Sequence, residues 1–432
     1  MKAHVLSLAV CLAASAFAAR GETWSLDSCI SYAHRNNISV RQRAVDCLNA
    51  EYGVTEAKDR FLPTLSAGAQ QSFSFGRGLT SENTYANRNT QNFGVNAGLN
   101  VPIFQGLAGV RRLAYAKANL RAIVEQYEAT KDDVTLNVMS QYLQVLYCKE
   151  MLEVSADQTA LSAKELARRR ELCDAGKIAE LDVLEAEAQL ARDELSEVNA
   201  DNDYRLALVA LTRLLMLPDP DGTFEVLPLE EAETPLPSVE SVYAHALGSN
   251  HGVQAAELNV KAAERNVSLS RTGYMPTLSF NAGLGSNYYK VSGIDGQSFG
   301  RQMRDNFSKS LGFTLSVPIF DALGTRNNVR RAKASQLSAE LQLDDMRSQL
   351  YQNIRQAHSQ AVAARRKCAS SEVAARSSRA ALDAMQEKYN YGRATATEFE
   401  QAKSAWFRSR AELVQARYES ILRTRIVEFY NK

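Results

Sequence analysis

Glycine and proline are missing from four long stretches of this chain. Neither residue occurs within 110–175, 177–217, 325–391 or 393–432. Because glycine and proline interrupt regular structure, their absence predicts long helices in these stretches. At about 1.5 Å of rise per residue, the longer two would each span roughly 100 Å, far beyond the mean globular helix of about 11–12 residues. The sequence therefore predicts one extended body and not several globular domains.

The chain also has few histidines, no cluster of cysteines and almost no excess of either charge. The 50 basic and 49 acidic residues nearly cancel, so nothing indicates a nucleic-acid partner. The 5 histidines are scattered, and no H-E-x-x-H motif or phosphate-binding glycine loop occurs. The 6 cysteines lack CxxC spacing, so no metal site is indicated, and only Cys29 with Cys47 could pair. We therefore predict that the chain is not an enzyme and binds no cofactor.

The N-terminus has the features of a secretory signal peptide, residues 1–18. Lys2 precedes the apolar run Val5–Ala14, and Ala16 and Ala18 are the small residues that signal peptidase requires. Lipidation at Cys11 is an alternative, because this cysteine follows a weak lipoprotein-like motif. Beyond this segment no stretch approaches the ~20 apolar residues of a transmembrane helix. A secreted chain of this kind is periplasmic, extracellular, or inserted in an outer membrane as a β-barrel.

The chain contains two copies of one plan. Leu99-Asn100-Val101-Pro102-Ile103-Phe104 returns as Leu315-Ser316-Val317-Pro318-Ile319-Phe320, and Gly176 and Gly392 mark the same break between helices. The first repeat is 19–217, the second is 239–432, and a proline-rich acidic connector, 218–238, joins them. The predicted elements are strands at about 64–75, 92–103, 277–289 and 306–319, and long helices at 108–175, 178–217, 325–390 and 395–430.

The strands alternate regularly between apolar and small or polar residues. In the second strand Phe93, Val95 and Ala97 share one face, whereas Asn92 and Asn96 fall on the other. Segments of about ten residues with this pattern suit a transmembrane β-barrel with a wet lumen, although a half-buried soluble sheet shows the same period. Four strands are too few to close a barrel, and open edges in lipid leave backbone groups unpaired. We therefore expect a barrel shared between chains.

The helices carry seams for packing against neighbours. Apolar residues of the second long helix recur at steps of three and four: Leu181, Leu184, Ala188, Ala191, Leu195 and Val198. The first long helix carries two such stripes side by side: Val134, Val138, Tyr142 and Val145, and Leu136, Met139, Leu143 and Leu146. This pattern predicts a helix packed on both sides, as in a closed ring. An isolated fibrous coiled coil is the alternative, and the strands between the helices argue against it.

The duplicated helix–hairpin–helix plan and its turn motifs resemble those of the TolC-like outer membrane efflux proteins, from about Trp24 to Tyr430. Tyr389–Phe399 is similar to the family's Y-x-x-G-x-x-T-x-x-D/E-hydrophobic turn, and both V-P-I-F motifs match its strand ends. The resemblance implies an α plus transmembrane β-barrel fold: a homotrimer with a shared twelve-stranded barrel in outer membrane lipid. A long α-helical tunnel then projects into the periplasm, with the connector in its equatorial region.

The resemblance also implies a function. The chain would be a passive exit duct for efflux or type I secretion, docking through a periplasmic adaptor (membrane fusion) protein with an inner-membrane RND or ABC pump. The alternative function is an extracellular or periplasmic coiled-coil structural or adhesin protein. Both duct functions agree with the residues, because cargo choice lies in the pump.

Finally, the resemblance implies a gate at the helix-turn tips, Gly176 and Gly392. Tyr389 matches the tyrosine of the family's closing network, and Glu398 matches the first acidic position of the entrance. The arginine position holds alanine, with Arg393 one residue away, and the second acidic position holds Gln401. Any lock must therefore be built differently. Asp182, at the equivalent point of the first copy, is the expected substitute.

Overall fold

The computed structural model describes residues 23–79, 83–218, 224–229 and 235–431. The expected signal peptide and Cys11 lie outside these residues, as does part of the connector. Elements of the first repeat are β1 (Thr23–Trp24), α1 (Leu26–Asn36), α2 (Ile38–Asp59), β2 (Thr64–Ser74), β3 (Arg77–Leu79), β4 (Tyr85–Asn87), β5 (Thr90–Gln105), α3 (Ala108–Asp174) and α4 (Glu180–Leu215). They are followed by β6 (Glu225–Val226), α5 (Val239–Ser249), α6 (His251–Ser270), β7 (Thr277–Val291), α7 (Phe299–Asp305), β8 (Ser308–Ser316), α8 (Gly324–Asn390) and α9 (Ala396–Tyr430).

The chain forms two compact units, and each takes segments from both repeats. We call residues 43–129 and 250–349 the sheet unit, and residues 1–42, 130–249 and 350–432 the helical unit. The sequence repeats are therefore not the compact units. The physical reason is the length of the helices, because α2, α3 and α8 each contribute residues to both units.

The sheet unit is built on four antiparallel strands in the order β2–β5–β7–β8. The central pair, β5 with β7, joins the two repeats, with Leu99 opposite Ala282. The register shifts between Pro102 and Phe104, where proline supplies no N–H to the ladder. β8 ends at Ser316, before the limit of about 319 expected from the sequence. The proline that follows two residues later cannot donate to β7.

The two outer strands of this sheet are exposed along their whole length. Every residue of β2 and of β8 is exposed in the single chain. Large apolar side chains are among them: Leu65 is 76% exposed and Leu311 is 78% exposed. Apolar surface of this extent indicates that something other than water covers these strands in the working protein.

The segments between paired strands contain regular structure that is not among the predicted elements. β3 pairs with β4 as a short hairpin, and α7 precedes β8. Phe299 of α7 lies against Phe93 and Tyr288, with ring centroids 5.5 and 5.1 Å apart. Because those two residues are direct partners on β5 and β7, one ring of a short helix can cover both. Such a contact depends on tertiary placement and leaves no periodic signal in seven residues.

The helices α3 and α8 each begin after two consecutive left-handed residues. Gly106 and Leu107 have φ of 58° and 65° before α3, and Ala322 and Leu323 have φ of 52° and 63° before α8. Glycine is needed at the first junction, because a Cβ on Gly106 would overlap the side chain of Met275. The second copy holds the same backbone with alanine.

The core of the helical unit lies along α3. Val138, Tyr142 and Val145 of one predicted stripe and Met139 and Leu143 of the other are all buried, in agreement with a helix packed on two sides. The predicted seam of α4 behaves differently, because four of its residues are exposed in the single chain: Leu181, Leu184, Leu195 and Val198. If this seam packs, its partner belongs to another molecule.

Cys29 and Cys47 do not form a disulfide, because both are free thiols. Cys29 is buried in α1 of the helical unit, and burial raises the pKa of its thiol to about 12. A thiol with that pKa stays protonated at neutral pH and is a poor nucleophile. Cys47 lies in α2 within the sheet unit, where its thiol faces the Ile123 carbonyl oxygen at 3.8 Å.

Tyr142 ties the short sheet of β1 and β6 to α3. Its hydroxyl lies 2.9 Å from the Trp24 carbonyl oxygen and 2.7 Å from that of Leu227, and can donate to either. Trp24 also accepts a hydrogen bond from the Leu227 amide, at 3.0 Å. Burial is the main reason that the pKa of Tyr142 is raised to about 12, so the hydroxyl remains a donor at all physiological pH values.

We expect Tyr142→Phe to lower the free energy of unfolding by about 0.5–1.5 kcal/mol, because the Leu227 carbonyl then loses its hydroxyl donor. Denaturant unfolding followed by circular dichroism measures the change. Tyr391→Phe is the matched control, since Tyr391 is 80% exposed and its hydroxyl can bond to water. Equal midpoints for Tyr142→Phe and the native chain would contradict the assignment.

Candidate functional site

The turns that follow α3 and α8 have the same backbone geometry. Gly176 and Gly392 adopt φ of +70° and +68°. The Gly176 amide donates to the Cys173 carbonyl at 2.8 Å, and the Gly392 amide donates to the Tyr389 carbonyl at 3.1 Å. A glycine in the left-handed region just after a helix is a common helix C-terminus. The duplicated plan therefore ends in two equivalent tight turns, both within the helical unit.

Glu398 and Asp182 cap the helices that follow these turns. Glu398 Oε2 accepts from the Thr395 amide at 2.8 Å and from its hydroxyl at 2.9 Å, while the Glu398 amide donates to Thr395 Oγ1 at 3.3 Å. These bonds, first the one from the Thr395 amide, lower the pKa of Glu398. In the first copy Asp182 accepts from the Ala179 amide at 3.1 Å. Both carboxylates are thus held at helix N-termini, where negative charge is favourable.

Tyr389 is clamped between residues of α3 and α9. Its hydroxyl donates to Glu165 Oε1 at 2.6 Å, and its ring stacks on Phe399 at 5.0 Å. The Arg168 guanidinium lies 4.6 Å from the ring centroid and donates to Asn390 Oδ1 at 2.7 Å. Burial, and then the hydrogen bond to Glu165, raise the pKa of Tyr389. The tyrosine selected from the sequence is therefore the centre of a contact between the two repeats.

The arginine of this clamp comes from α3 and not from the turn. Arg169 is 3% exposed, and its Nε donates to Glu165 Oε1 at 3.0 Å. Its Nη1 donates to the main-chain carbonyl of Asp182 at 3.2 Å, so that contact does not use the Asp182 carboxylate. Burial opposes the charge of Arg169, but the hydrogen bond to Glu165, with the interactions of Tyr389 and the charge of Glu165, outweighs it, and the pKa of Arg169 is raised.

The remaining predicted site residues, Arg393 and Gln401, are exposed on the second turn and the first turns of α9. The clamp residues that sequence reasoning missed, Glu165, Arg168 and Arg169, lie together near the end of α3. A glutamate followed at i+3 and i+4 by arginines is visible in the sequence, but the same spacing is common on solvated helix faces.

A second polar cluster lies deeper between the helices. Lys403 of α9 is 1% exposed, and its Nζ donates to Ser162 Oγ at 2.6 Å and lies 3.6 Å from Asp193 Oδ2. Ser162 in turn donates to Asp193. Asp193, on α4, also accepts from Gln158 at 2.6 Å and from Gln189 at 2.9 Å. The buried charges are therefore surrounded by hydrogen-bond partners, as buried ions require.

Membrane-spanning helices and metal-binding clusters are both absent from the described residues. No helix there is long and apolar enough to cross a membrane. No group of three or more histidine, cysteine, aspartate or glutamate side chains in the same part of the chain could hold a metal ion. The polar clusters described above are made instead of ion pairs and hydrogen bonds.

Comparison with known proteins identifies the family. The family model described as outer membrane efflux protein matches residues 29–215 and 242–423. The chain belongs to the outer membrane efflux protein family. The TolC-like proteins of this family are non-enzymatic outer membrane channels, and the resemblance found in the sequence is confirmed.

Individual relatives share little sequence but nearly the whole fold. The chain is 24% identical over 406 residues to the outer membrane efflux protein BepC of Brucella suis, covering 94% of this chain and 84% of BepC. It is 23% identical over 428 residues to the outer membrane protein TolC of Escherichia coli K12, covering 97% and 84%. The structure of the Campylobacter jejuni CmeC outer membrane channel superposes with a TM-score of 0.77 at 16% identity, over 94% of this chain and 85% of that one.

We expect Gly392→Ala to lower the free energy of unfolding by roughly 1–2 kcal/mol, because an L-residue is strained at this φ. The space around a new Cβ is open, so the cost comes from the backbone alone. Gly53→Ala, in the interior of α2 with equally open surroundings, should instead stabilise by about 0.5–1 kcal/mol. Thermal unfolding of both purified variants in detergent measures the difference. Effects of the same sign would contradict the left-handed assignment at Gly392.

Proposed function

We propose that this protein is the outer membrane exit duct of a tripartite efflux or type I secretion system, passively conducting substrates from the periplasm to the exterior. The observation that carries the proposal is the four-stranded sheet, exposed on both outer strands, whose strands lead directly into the helices of an efflux-family chain. In hydrocarbon a free strand edge costs several kcal/mol per unpaired backbone group.

Three copies of the chain satisfy that requirement. If β8 of one copy pairs with β2 of the next, the three sheets close as a twelve-stranded barrel and no edge is left. The exposed apolar side chains of both strands, such as Leu65 and Phe313, then face lipid. Along the helical part, the exposed seam of α4 is available for packing against a neighbouring copy.

A coiled-coil structural or adhesin protein is the function that these observations disfavour. It leaves the long alternating strands and their exposed apolar residues without a purpose, and family membership argues against it. Within the duct function, we propose a periplasmic adaptor and an inner-membrane RND or ABC pump as partners. Co-purification with the adaptor and pump encoded nearest to this gene would distinguish efflux from secretion.

The entrance of the duct is proposed to lie at the turns around Gly176 and Gly392. Around a three-fold axis, Glu398 would be present three times, and the hydrogen bonds that lower its pKa favour the ionised form of each copy. Asp182 could contribute a second set of charges from the first repeat. Arg393 and Gln401, exposed beside them, would modulate the field. The contact of Tyr389 with Glu165 would hold the two helix pairs together in the closed state.

The first prediction of this proposal concerns assembly. Purified in detergent, the mature chain should have about three times the mass of one chain by light scattering corrected for bound detergent. The reason is that only a closed barrel leaves no strand edge in the apolar environment. A monodisperse monomer that conducts ions in planar bilayers would rule out the shared barrel.

The second prediction concerns the entrance. Glu398→Gln should lower cation selectivity in single-channel recordings and relieve block by a trivalent cation, because rings of carboxylates favour cations. Glutamine can still accept the hydrogen bonds of the cap, so the variant should assemble normally. Gln401→Glu is the converse variant and should strengthen block. If Glu398→Gln has no effect while Asp182→Asn abolishes block, the constriction belongs to the first turn and our assignment of Glu398 is wrong.

A further inference from the structure

Lys403 is the least expected buried residue of the helical unit. Lysine is almost never fully buried unless it is paired, yet this side chain is 1% exposed on α9. Phe399 and Phe407, one turn before and one turn after it, are buried on the same face. The ammonium group is therefore directed into the core by the helix itself and cannot reach bulk water along the surface.

The partners of Lys403 belong to the first repeat. Ser162 lies on α3 and Asp193 on α4, so one ammonium group connects α9 with both helices of the other pair. Its third contact is Glu400 Oε2, at 3.1 Å on its own helix. By helix geometry, Lys403 lies about 10 Å along α9 from the first residue of that helix. We refer to Lys403, Ser162 and Asp193 as the buried pin.

The buried pin is linked to the clamp at the turn. Arg169 Nη2 is buried without a hydrogen-bond partner among the described residues and lies 3.8 Å from Glu400 Oε1. Because Glu400 also contacts Lys403, the buried pin and the clamp at the turn share one carboxylate. Moving α9 away from α3 would disturb both layers together.

Energetics distinguish this contact from ordinary ion pairs between the helices. Removing one member of a buried pair leaves an uncompensated charge and is strongly destabilising, whereas exposed pairs contribute little. The chain supplies an exposed pair between the same two helices: Arg410 of α9 donates to Asp157 of α3 at 2.5 Å, with side chains 28% and 61% exposed. The buried pin has no water to replace its contacts until the helices have separated.

We propose that Lys403 is a positioning residue for the entrance, whose buried contacts with Ser162 and Asp193 hold α9 against the α3–α4 pair and must break before the entrance widens. This inference rests on the proposed duct function. The buried pin is a second contact between the two repeats, further from the turn than the contacts of Tyr389. Partial separation of the helices breaks the contacts of the charge before water can replace them. The contact therefore favours two discrete arrangements of the helices over a continuous range of intermediate ones.

The test compares Lys403→Met with Arg410→Met in the assembled full-length protein. Lys403→Met should raise single-channel conductance and speed amide hydrogen exchange in residues 396–407 by about tenfold. Arg410→Met should leave both readouts near those of the native protein, and Lys403→Arg, which keeps the charge, should restore most of the exchange protection. Equal effects of Lys403→Met and Arg410→Met, or none from Lys403→Met, would overturn the proposal.

A further variant separates positioning from simple stability. Lys403→Met with Asp193→Asn removes both charges, so thermal stability should recover relative to Lys403→Met alone, while conductance stays raised. Recovery of the native conductance would overturn the proposal. This variant also serves if Lys403→Met fails to assemble. If the native protein forms no pores, both the duct function and the gating role of Lys403 are wrong. If the native protein forms pores and Lys403→Met alters hydrogen exchange but not conductance, only the gating role is wrong.

Discussion

The pairing of β5 with β7 is the constraint on which the rest of the structure depends. It joins the two repeats in one antiparallel sheet, since β2 and β8 each pair only with the central strand of their own repeat. Because the central pair brings the two copies together within one chain, only the outer strands remain to be satisfied. Under the proposed duct function, other copies of the chain would pair with these two outer strands.

Much of this architecture could be predicted from the positions of glycine and proline and from the alternation of apolar residues. The gaps between glycines and prolines gave the long helices, and strict alternation gave the four main strands, with ends that differ from those of the structure by a few residues. Such features are encoded locally, because backbone propensity and burial pattern repeat along the sequence. The helix α7 was missed for the opposite reason. Its aromatic contact, Phe299 against two neighbouring strands, depends on how the sheet is assembled.

The candidate site shows the same division. Tyr389, Glu398 and the two glycines were found from a local motif, whereas Glu165, Arg169 and Asp193 contact the distant residues Tyr389, Glu400 and Lys403. Lys403 did leave a signal: it interrupts an apolar stripe between Phe399 and Phe407. A charge in such a stripe indicates a buried partner but not its identity, because helix rotation and register decide which side chain meets it.

The junctions that begin α3 and α8 have a consequence for mutational tolerance. Both junctions use a pair of left-handed residues. At the first junction the surroundings exclude a side chain at Gly106, whereas the equivalent position of the second junction holds Ala322. Gly106 is therefore held by steric exclusion, and no substitution can be accommodated there without displacing Met275. Ala322 shows that the second junction accepts a side chain at the expense of backbone strain. The two copies of one turn therefore place different steric limits on their leading residue.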